Sequence, residues 1–232
     1  MNMSLAKKLN PISLASYFDH TQLKPFATYA DFERLCAESK KYQFKMVAIN
    51  PAPVSFCKQL LTGSQVHVGA AIGFPLGQST KEIKFQETID AIENGADEID
   101  YVINITQLKE KNYSFIEAEM AGIVNVCRQE GKISKVIFEN CFLTDAEKKE
   151  LCRIALNIRP DFIKTSTGFG SGGATYDDVR LMKEMVGDAI QVKAAGGVRD
   201  LETALQMIEL GAQRIGTSAS VAIVEEFIKK LS

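Results

Sequence analysis

Two lysines stand where packing alone would not put them. Lys164 lies in Phe162-Ile163-Lys164-Thr165-Ser166-Thr167-Gly168, and Lys193 in Ile190-Gln191-Val192-Lys193-Ala194-Ala195-Gly196-Gly197. Both runs have β-branched neighbours alternating with the lysine. If those neighbours face a helical layer, the two ammonium groups point to the opposite side of the sheet. An amine is a nucleophile only when neutral, and a free lysine loses its proton near pH 10.4. A second ammonium about 4 Å away contributes about 4 kcal/mol of repulsion at an effective dielectric of 20, enough to neutralise one lysine near pH 7. Such a pair is suited to imine formation with a carbonyl substrate. Lys164 is the better nucleophile candidate, because the hydroxyls of Thr165, Ser166 and Thr167 follow it and can pass protons or orient an adduct.

A carboxylate accompanies them. In Glu98-Ile99-Asp100-Tyr101-Val102-Ile103 the apolar alternation turns Asp100 to the same side as the lysines. It is either their counter-charge or a proton relay to the substrate. Asp19 and His20 end another β-like run. Asp19 is placed to orient a substrate hydroxyl, and His20 reads equally well as a structural hydrogen bonder. Glu139 is placed to support Lys164 or Lys193 electrostatically. Phe74, in Gly73-Phe74-Pro75-Leu76-Gly77, is a candidate pocket wall.

Glycines mark a second function. Gly168, Gly170, Gly172 and Gly173 follow the Lys164 run, Gly196 and Gly197 follow the Lys193 run, and Gly216-Thr217-Ser218 follows the next. Bare N–H groups converging from three consecutive loops form a cradle for phosphate. The expected contacts are Gly170, Gly173, Gly196, Gly197, Gly216 and Ser218.

These groups need a scaffold that aims several strand ends at one point. Over 232 residues, short β-branched runs begin near Tyr17, Lys45, Val66, Asp97, Lys135, Asp161, Ile190 and Gln213, each followed by room for a helix. Eight strand–helix units imply parallel strands with right-handed crossovers and a closed (β/α)8 TIM barrel, whose active site lies at the C-terminal strand ends. No linker divides the chain, so residues 1–232 read as one α/β domain. Helices are predicted over Ile83–Glu93 and Leu201–Ile208, the latter capped by Asp200 and stopped by Gly211. Met3–Leu14 is expected to be an extra N-terminal helix across the barrel floor. Ile92-Glu93-Asn94-Gly95-Ala96-Asp97-Glu98-Ile99 echoes Ile208-Glu209-Leu210-Gly211-Ala212-Gln213-Arg214-Ile215 at half a chain's distance. That spacing would place the copies on strands 4 and 8.

Composition narrows the function. Lys+Arg 27 against Asp+Glu 29 leaves a net charge of -2, so there is no global field to hold nucleic acid. Two histidines on separate segments do not make a catalytic metal site, and the reading needs neither metal nor organic cofactor. Five cysteines without a C-x-x-C pair argue against a disulfide scaffold. The polar start Met1–Leu9 and the absence of long apolar runs predict a cytoplasmic protein with no membrane partner.

Taken together, Gly95-Ala96-Asp97-Glu98-Ile99-Asp100, Phe162–Gly170 and Val192–Gly197 resemble the 2-deoxyribose-5-phosphate aldolase family, and the likeness runs from Asp19-His20-Thr21 to Gly216-Thr217-Ser218. The resemblance implies a metal-free class I aldolase that reversibly cleaves 2-deoxy-D-ribose 5-phosphate to D-glyceraldehyde 3-phosphate and acetaldehyde. It implies Lys164 as the imine-forming lysine, Lys193 as its pKa-lowering neighbour and Asp100 as the proton-relay acid. Asp19 would bind a hydroxyl. Thr167, Gly168, Gly170, Gly173, Gly196, Gly197, Gly216 and Ser218 would bind the rest of the substrate. A homodimer follows by the same resemblance. Two departures accompany it: the chain ends at Lys230-Leu231-Ser232 without the Tyr-ended tail of some members, and Ala48 stands where many have Cys.

Overall fold

The computed structural model describes residues 9–231. Eight parallel strands close into a barrel in sequence order, β1 Phe18–Gln22, β2 Met46–Ile49, β3 His67–Ile72, β4 Glu98–Val102, β5 Ile133–Ile137, β6 Phe162–Lys164, β7 Gln191–Ala195 and β8 Ala212–Thr217, with β1 pairing β8. Every expected strand is present. Ten α-helices are described. They are α1 Pro11–Ala15, α2 Tyr29–Tyr42, α3 Val54–Leu60, α4 Lys81–Glu93, α5 Ile105–Lys109, α6 Tyr113–Gln129, α7 Asp145–Ile158, α8 Tyr176–Val186, α9 Leu201–Glu209 and α10 Ser220–Leu231.

Local chemistry explains the boundaries. Thr28 and Thr144 form capping boxes with Asp31 and Glu147 at the starts of α2 and α7. Asp200 accepts the Thr203 N–H at the start of α9, and Gly211, at φ 104, turns the chain into β8. The predicted helix at Ile83 starts two residues earlier, at Lys81, because Thr80 caps it. Of the expected Met3–Leu14 helix, Met3–Lys8 lie outside the described residues, and Leu9 and Asn10 are not helical. The helix starts at Pro11, where proline's missing N–H costs nothing and Asn10 closes the cap. This α1 packs against α10.

Alternation sorts the strands into two layers. Val47, Val68, Ile99, Tyr101, Val136, Ile163, Val192 and Ile215 are buried among the helices as one continuous core. The alternate positions face the barrel axis. There the filling is unusual for a buried interior, with Asp19, Glu98, Asp100, Lys135, Lys164, Lys193 and Arg214 all buried. Phe162 contributes a ring, with the Lys135 ammonium 5.8 Å and the Arg214 guanidinium 5.6 Å from its centroid.

Candidate active site

The site begins with register. Lys164 on β6 is the register partner of Lys193 on β7, and Asp100 on β4 is the partner of Lys135 on β5. β4, β5, β6 and β7 are consecutive neighbours in the barrel, so their inward side chains converge. The Asp100 carboxylate takes all three amines: Lys164 Nζ donates to Oδ2 at 2.9 Å, Lys193 Nζ to the same Oδ2 at 2.7 Å, and Lys135 Nζ to Oδ1 at 2.7 Å. Below them Lys193 also pairs with Asp19, whose Oδ1 accepts from Arg214 Nε at 2.6 Å. Arg214 and Lys135 in turn hold Glu98, at 3.1 and 2.5 Å.

Above this network opens a cavity of about 330 Å³ at the C-terminal strand ends. Lys164 and Lys193 form its base and Ala48 part of its wall. Thr167-Gly168-Phe169, the run Ala195–Arg199, and Gly216-Thr217-Ser218 close one side, while Thr21, Gln22 and Lys24 close the other.

Electrostatics separate the two lysines. Lys164 is pushed down to about 8: burial does most, the Asp100 carboxylate opposes it, and the Lys193 and Lys135 ammoniums lower it further. Desolvation is the leading cause, and the repulsion expected from the lysine pair assists it. Burial by itself would raise Asp100, yet the three surrounding ammoniums outweigh it and hold the carboxyl well below the usual range. Lys135 is also desolvated, but Asp100, Glu98 and Asp19 keep it charged. Lys164 is thus a buried amine that gives up its proton more readily than a free lysine.

Eight of the expected site residues line the cavity: Lys164, Lys193, Thr167, Gly168, Gly196, Gly197, Gly216 and Ser218. Asp100 lies directly beneath, bonded to both lysines. Three expected residues, Asp19, Gly170 and Gly173, lie outside the lining, and a fourth, Thr167, lines it with its hydroxyl engaged elsewhere. Asp19 is fully buried under Lys193 and bound to cations, so it does not face the cavity where a hydroxyl would sit. Gly173 and Gly170 are close-approach glycines. A Cβ on Gly173 would come 2.3 Å from the Gly196 carbonyl oxygen, and one on Gly170 2.7 Å from the Cys141 sulfur. Thr167 lines the cavity, but its hydroxyl donates to Glu139 Oε2 and accepts the Phe169 N–H at 3.0 Å. Thr165 is likewise committed, bonding the Ala195 carbonyl and N–H across β7 at 3.1 Å. Of the three hydroxyls after Lys164, Ser166 alone has no hydrogen-bond partner among the described residues.

Glu139 departs from its expected place, whereas His20 takes the structural hydrogen-bonding role that was one of its two readings. Glu139 contacts neither lysine; its carboxylate serves the Thr167 N–H, at 3.2 Å, and hydroxyl. His20 faces the helical layer, where Nε2 pairs with Glu38 at 2.9 Å and burial lowers its pKa. Phe74 stands behind the wall, its ring edge-on to Phe169 with centroids 5.4 Å apart. The residues the sequence reading passed over are Lys135, Glu98, Arg214, Lys24 and Arg199. The parity that turned Asp100 inward also turns Glu98 inward, two residues earlier, and the alternation of Lys135 with Val136 carries the same signal.

The family model described as DeoC/LacD family aldolase matches residues 13–224. The chain belongs to this aldolase family. Deoxyribose-phosphate aldolase of Bacteroides thetaiotaomicron is 56% identical over 214 residues, spanning 92% of this chain and 90% of that relative. The Lactobacillus acidophilus deoxyribose-phosphate aldolase is 56% identical over 211 residues, 91% of this chain and 89% of the relative. Among solved structures, deoxyribose phosphate aldolase from Aeropyrum pernix superposes with a TM-score of 0.88 at 32% identity, covering 96% of this chain and 94% of that one. In this family's barrel the cavity over Lys164 and Lys193 is the candidate aldolase site.

Proposed function

We propose that the protein cleaves 2-deoxy-D-ribose 5-phosphate reversibly to D-glyceraldehyde 3-phosphate and acetaldehyde, with Lys164 as the covalent catalyst. The observation that carries the reading is Lys164 itself, a buried amine pushed down to about 8 at the base of a cavity walled by Gly168, Gly196, Gly197, Gly216 and Ser218. The relatives' substrate, named in their description, has an aldehyde at one end and a phosphate at the other. This cavity offers a neutral amine below and bare backbone beside it.

The chemistry follows from the arrangement. The neutral Lys164 amine adds to the C1 carbonyl carbon, and the adduct loses water to give a protonated imine. The imine nitrogen draws in the C2–C3 bonding pair while the C3 hydroxyl loses its proton. C3 becomes the aldehyde carbon of D-glyceraldehyde 3-phosphate, and C1–C2 stay on Lys164 as an enamine. C2 takes up a proton, water adds to the imine carbon, and acetaldehyde leaves with the amine restored. Asp100, bonded to Lys164 and Lys193 through one oxygen, is placed to move protons with a water in the cavity. Lys193 stays the fixed cation, held by Asp19 from below.

Phosphate is best met by the N–H groups of Gly196 and Gly197, both at positive φ, and by Ser218. Arg199 and Lys24 at the same rim add positive charge. Residues 1–232 act as a single domain in this reading. A homodimer in the cytoplasm completes the proposal; among the described residues no helix is long and apolar enough to cross a membrane. The Aeropyrum pernix relative is described as tetrameric, so sedimentation of this chain is the direct check on assembly.

The deciding experiment is a coupled assay for acetaldehyde released from 2-deoxyribose 5-phosphate. No release at millimolar substrate would end the proposal.

A further inference from the structure

Glu139 has features that neither the barrel nor the covalent chemistry requires. It is a buried carboxylate with no ion pair at salt-bridge distance among the described residues. Its backbone sits in the left-handed region at φ 57, which a non-glycine residue adopts only at some cost. A buried anion without a cation is expensive unless hydrogen bonds replace its water. Here the two oxygen- and nitrogen-based replacements come from a single residue, Oε1 accepting the Thr167 N–H at 3.2 Å and Oε2 the Thr167 hydroxyl, with a weaker thiol donor, Cys141 Sγ, 3.9 Å from Oε1. The same hydroxyl oxygen accepts the Phe169 N–H at 3.0 Å. Gly170 completes the seat, since a Cβ there would come 3.2 Å from the Glu139 carboxyl carbon. The loop after β6 is therefore fastened, residue by residue, to one carboxylate on the loop after β5. The outer side of that fastened segment, Thr167-Gly168-Phe169, is cavity wall.

We infer that Glu139 is a positioning residue for recognition of the substrate's phosphate: it holds Thr167 so that the backbone of Gly168 and Phe169 forms a fixed wall opposite Gly196 and Gly197. This rests on the phosphorylated substrate proposed above. Glu139 touches neither lysine nor Asp100, so its effect is exerted through the loop and falls on the part of the substrate that the loop faces. A phosphorylated sugar depends on that wall; an unphosphorylated one does not. Losing a charged hydrogen-bond acceptor that orders a binding loop corresponds to about a tenfold change.

The test compares 2-deoxyribose 5-phosphate with 2-deoxyribose in wild type, Glu139→Ala, Glu139→Gln, Thr167→Val, Thr167→Ser and the Glu139→Ala/Thr167→Val double variant. In Glu139→Ala, KM for the phosphorylated sugar is expected to rise about tenfold relative to the change for the free sugar. Thr167→Ser, which keeps the hydroxyl, should retain most of the wild-type ratio, and Glu139→Gln, which keeps one acceptor oxygen but puts a donor in place of the other, should fall between Glu139→Ala and wild type. The double variant should be no worse than the weaker single variant, because both cut the same bonds. If Glu139→Ala does not fold, Thr167→Val severs the hydroxyl link from the other side and Thr167→Ser restores it. Equal KM changes on both sugars, additive losses, or a fall in kcat at unchanged KM would overturn the inference. Wild type failing to cleave 2-deoxyribose 5-phosphate would instead overturn the proposed function, which keeps the two failures apart.

Discussion

Glu98 and Arg214 occupy equivalent positions in the two echoed segments, and in the folded barrel their side chains meet at 3.1 Å. The echo places one on β4 and the other on β8, diametrically opposed strands of an eight-stranded ring. Both point to the axis, so the pair bridges the barrel's full width. This bridge is the lower tier of the network that ends at Lys164. Four Lys and Arg side chains (Lys135, Lys164, Lys193, Arg214) stand against three carboxylates (Asp19, Glu98, Asp100) in that network, and the His67 ring joins it at Glu98, 2.6 Å from Oε1. A water-poor interior favours charge balance, and releasing one proton achieves it. Lys164 is the amine at the cavity with the lowered pKa, so the excess charge is relieved where chemistry needs a free amine.

Borohydride reduction in the presence of 2-deoxyribose 5-phosphate should add mass to the peptide carrying Lys164 and leave Lys193 unmodified. In Lys193→Leu the same adduct should form, but its pH midpoint should move up by about one unit, since a lowering charge is gone while burial remains. Labelling at Lys193, or an unmoved midpoint in the variant, would reverse the assignment.

The pH profile of kcat/KM should rise on its acid side with a midpoint near 8, where Lys164 loses its proton. Linkage has a definite sign here. The folded pKa lies below the unfolded value near 10.4, so between those two values the unfolded chain binds more protons and stability increases with pH. Below about 8 the charged, buried Lys164 costs stability. Lys164→Met should therefore gain most on wild type in urea unfolding at pH 6–7 and progressively less toward pH 10. A gain independent of pH would mean that Lys164 carries no such penalty.

Gly197 has φ 81 and nothing within 4 Å of where its Cβ would stand. Gly197→Val thus adds bulk toward open space while straining a left-handed backbone. KM for the phosphorylated sugar should increase at least about tenfold more than KM for free 2-deoxyribose. Equal losses on both would argue against phosphate at this loop.

Behind β4, Lys84 and Glu119 form a fully buried pair at 2.6 Å, with Lys84 also donating to the Val102 carbonyl at 2.8 Å. Burial lowers the lysine and raises the glutamate, so each depends on the other to remain charged. Lys84→Met should destabilise the fold by about 3 kcal/mol in urea titration, by leaving Glu119 without its cation. Adding Glu119→Leu should recover much of the loss. A double variant as unstable as the single would show that the cost is packing around Gly73 and not charge.

The aldolase scaffold was legible at the level of local pattern. Period-two alternation in eight runs, helix caps such as Asp200 and turn glycines such as Gly211 are written in neighbouring residues, and they place strand starts and closed-barrel topology without tertiary information. The same alternation turned Lys164, Lys193 and Asp100 to one side. Depth along the axis is another matter. Asp19 and Asp100 have the same inward parity, yet Asp100 reaches both lysines while Asp19 meets Lys193 and Arg214 and does not line the cavity.

What the sequence alone determined is therefore the barrel, its inward faces and the lysine pair at the base of the cavity. What only the tertiary structure decided is which polar groups are already engaged. Glu139 and Thr167 are 28 residues apart and consume each other's hydrogen bonds. Gly170 and Gly173 are filled against by Cys141 and Gly196 from other loops. Lys135 reaches Asp100 only because β4 and β5 pair in that register. A hydrogen-bond acceptor or a glycine has the same local signature whether it awaits substrate or supports a neighbour. The difference is set by long-range contacts, which consume a group's bonding capacity or leave it open to the cavity.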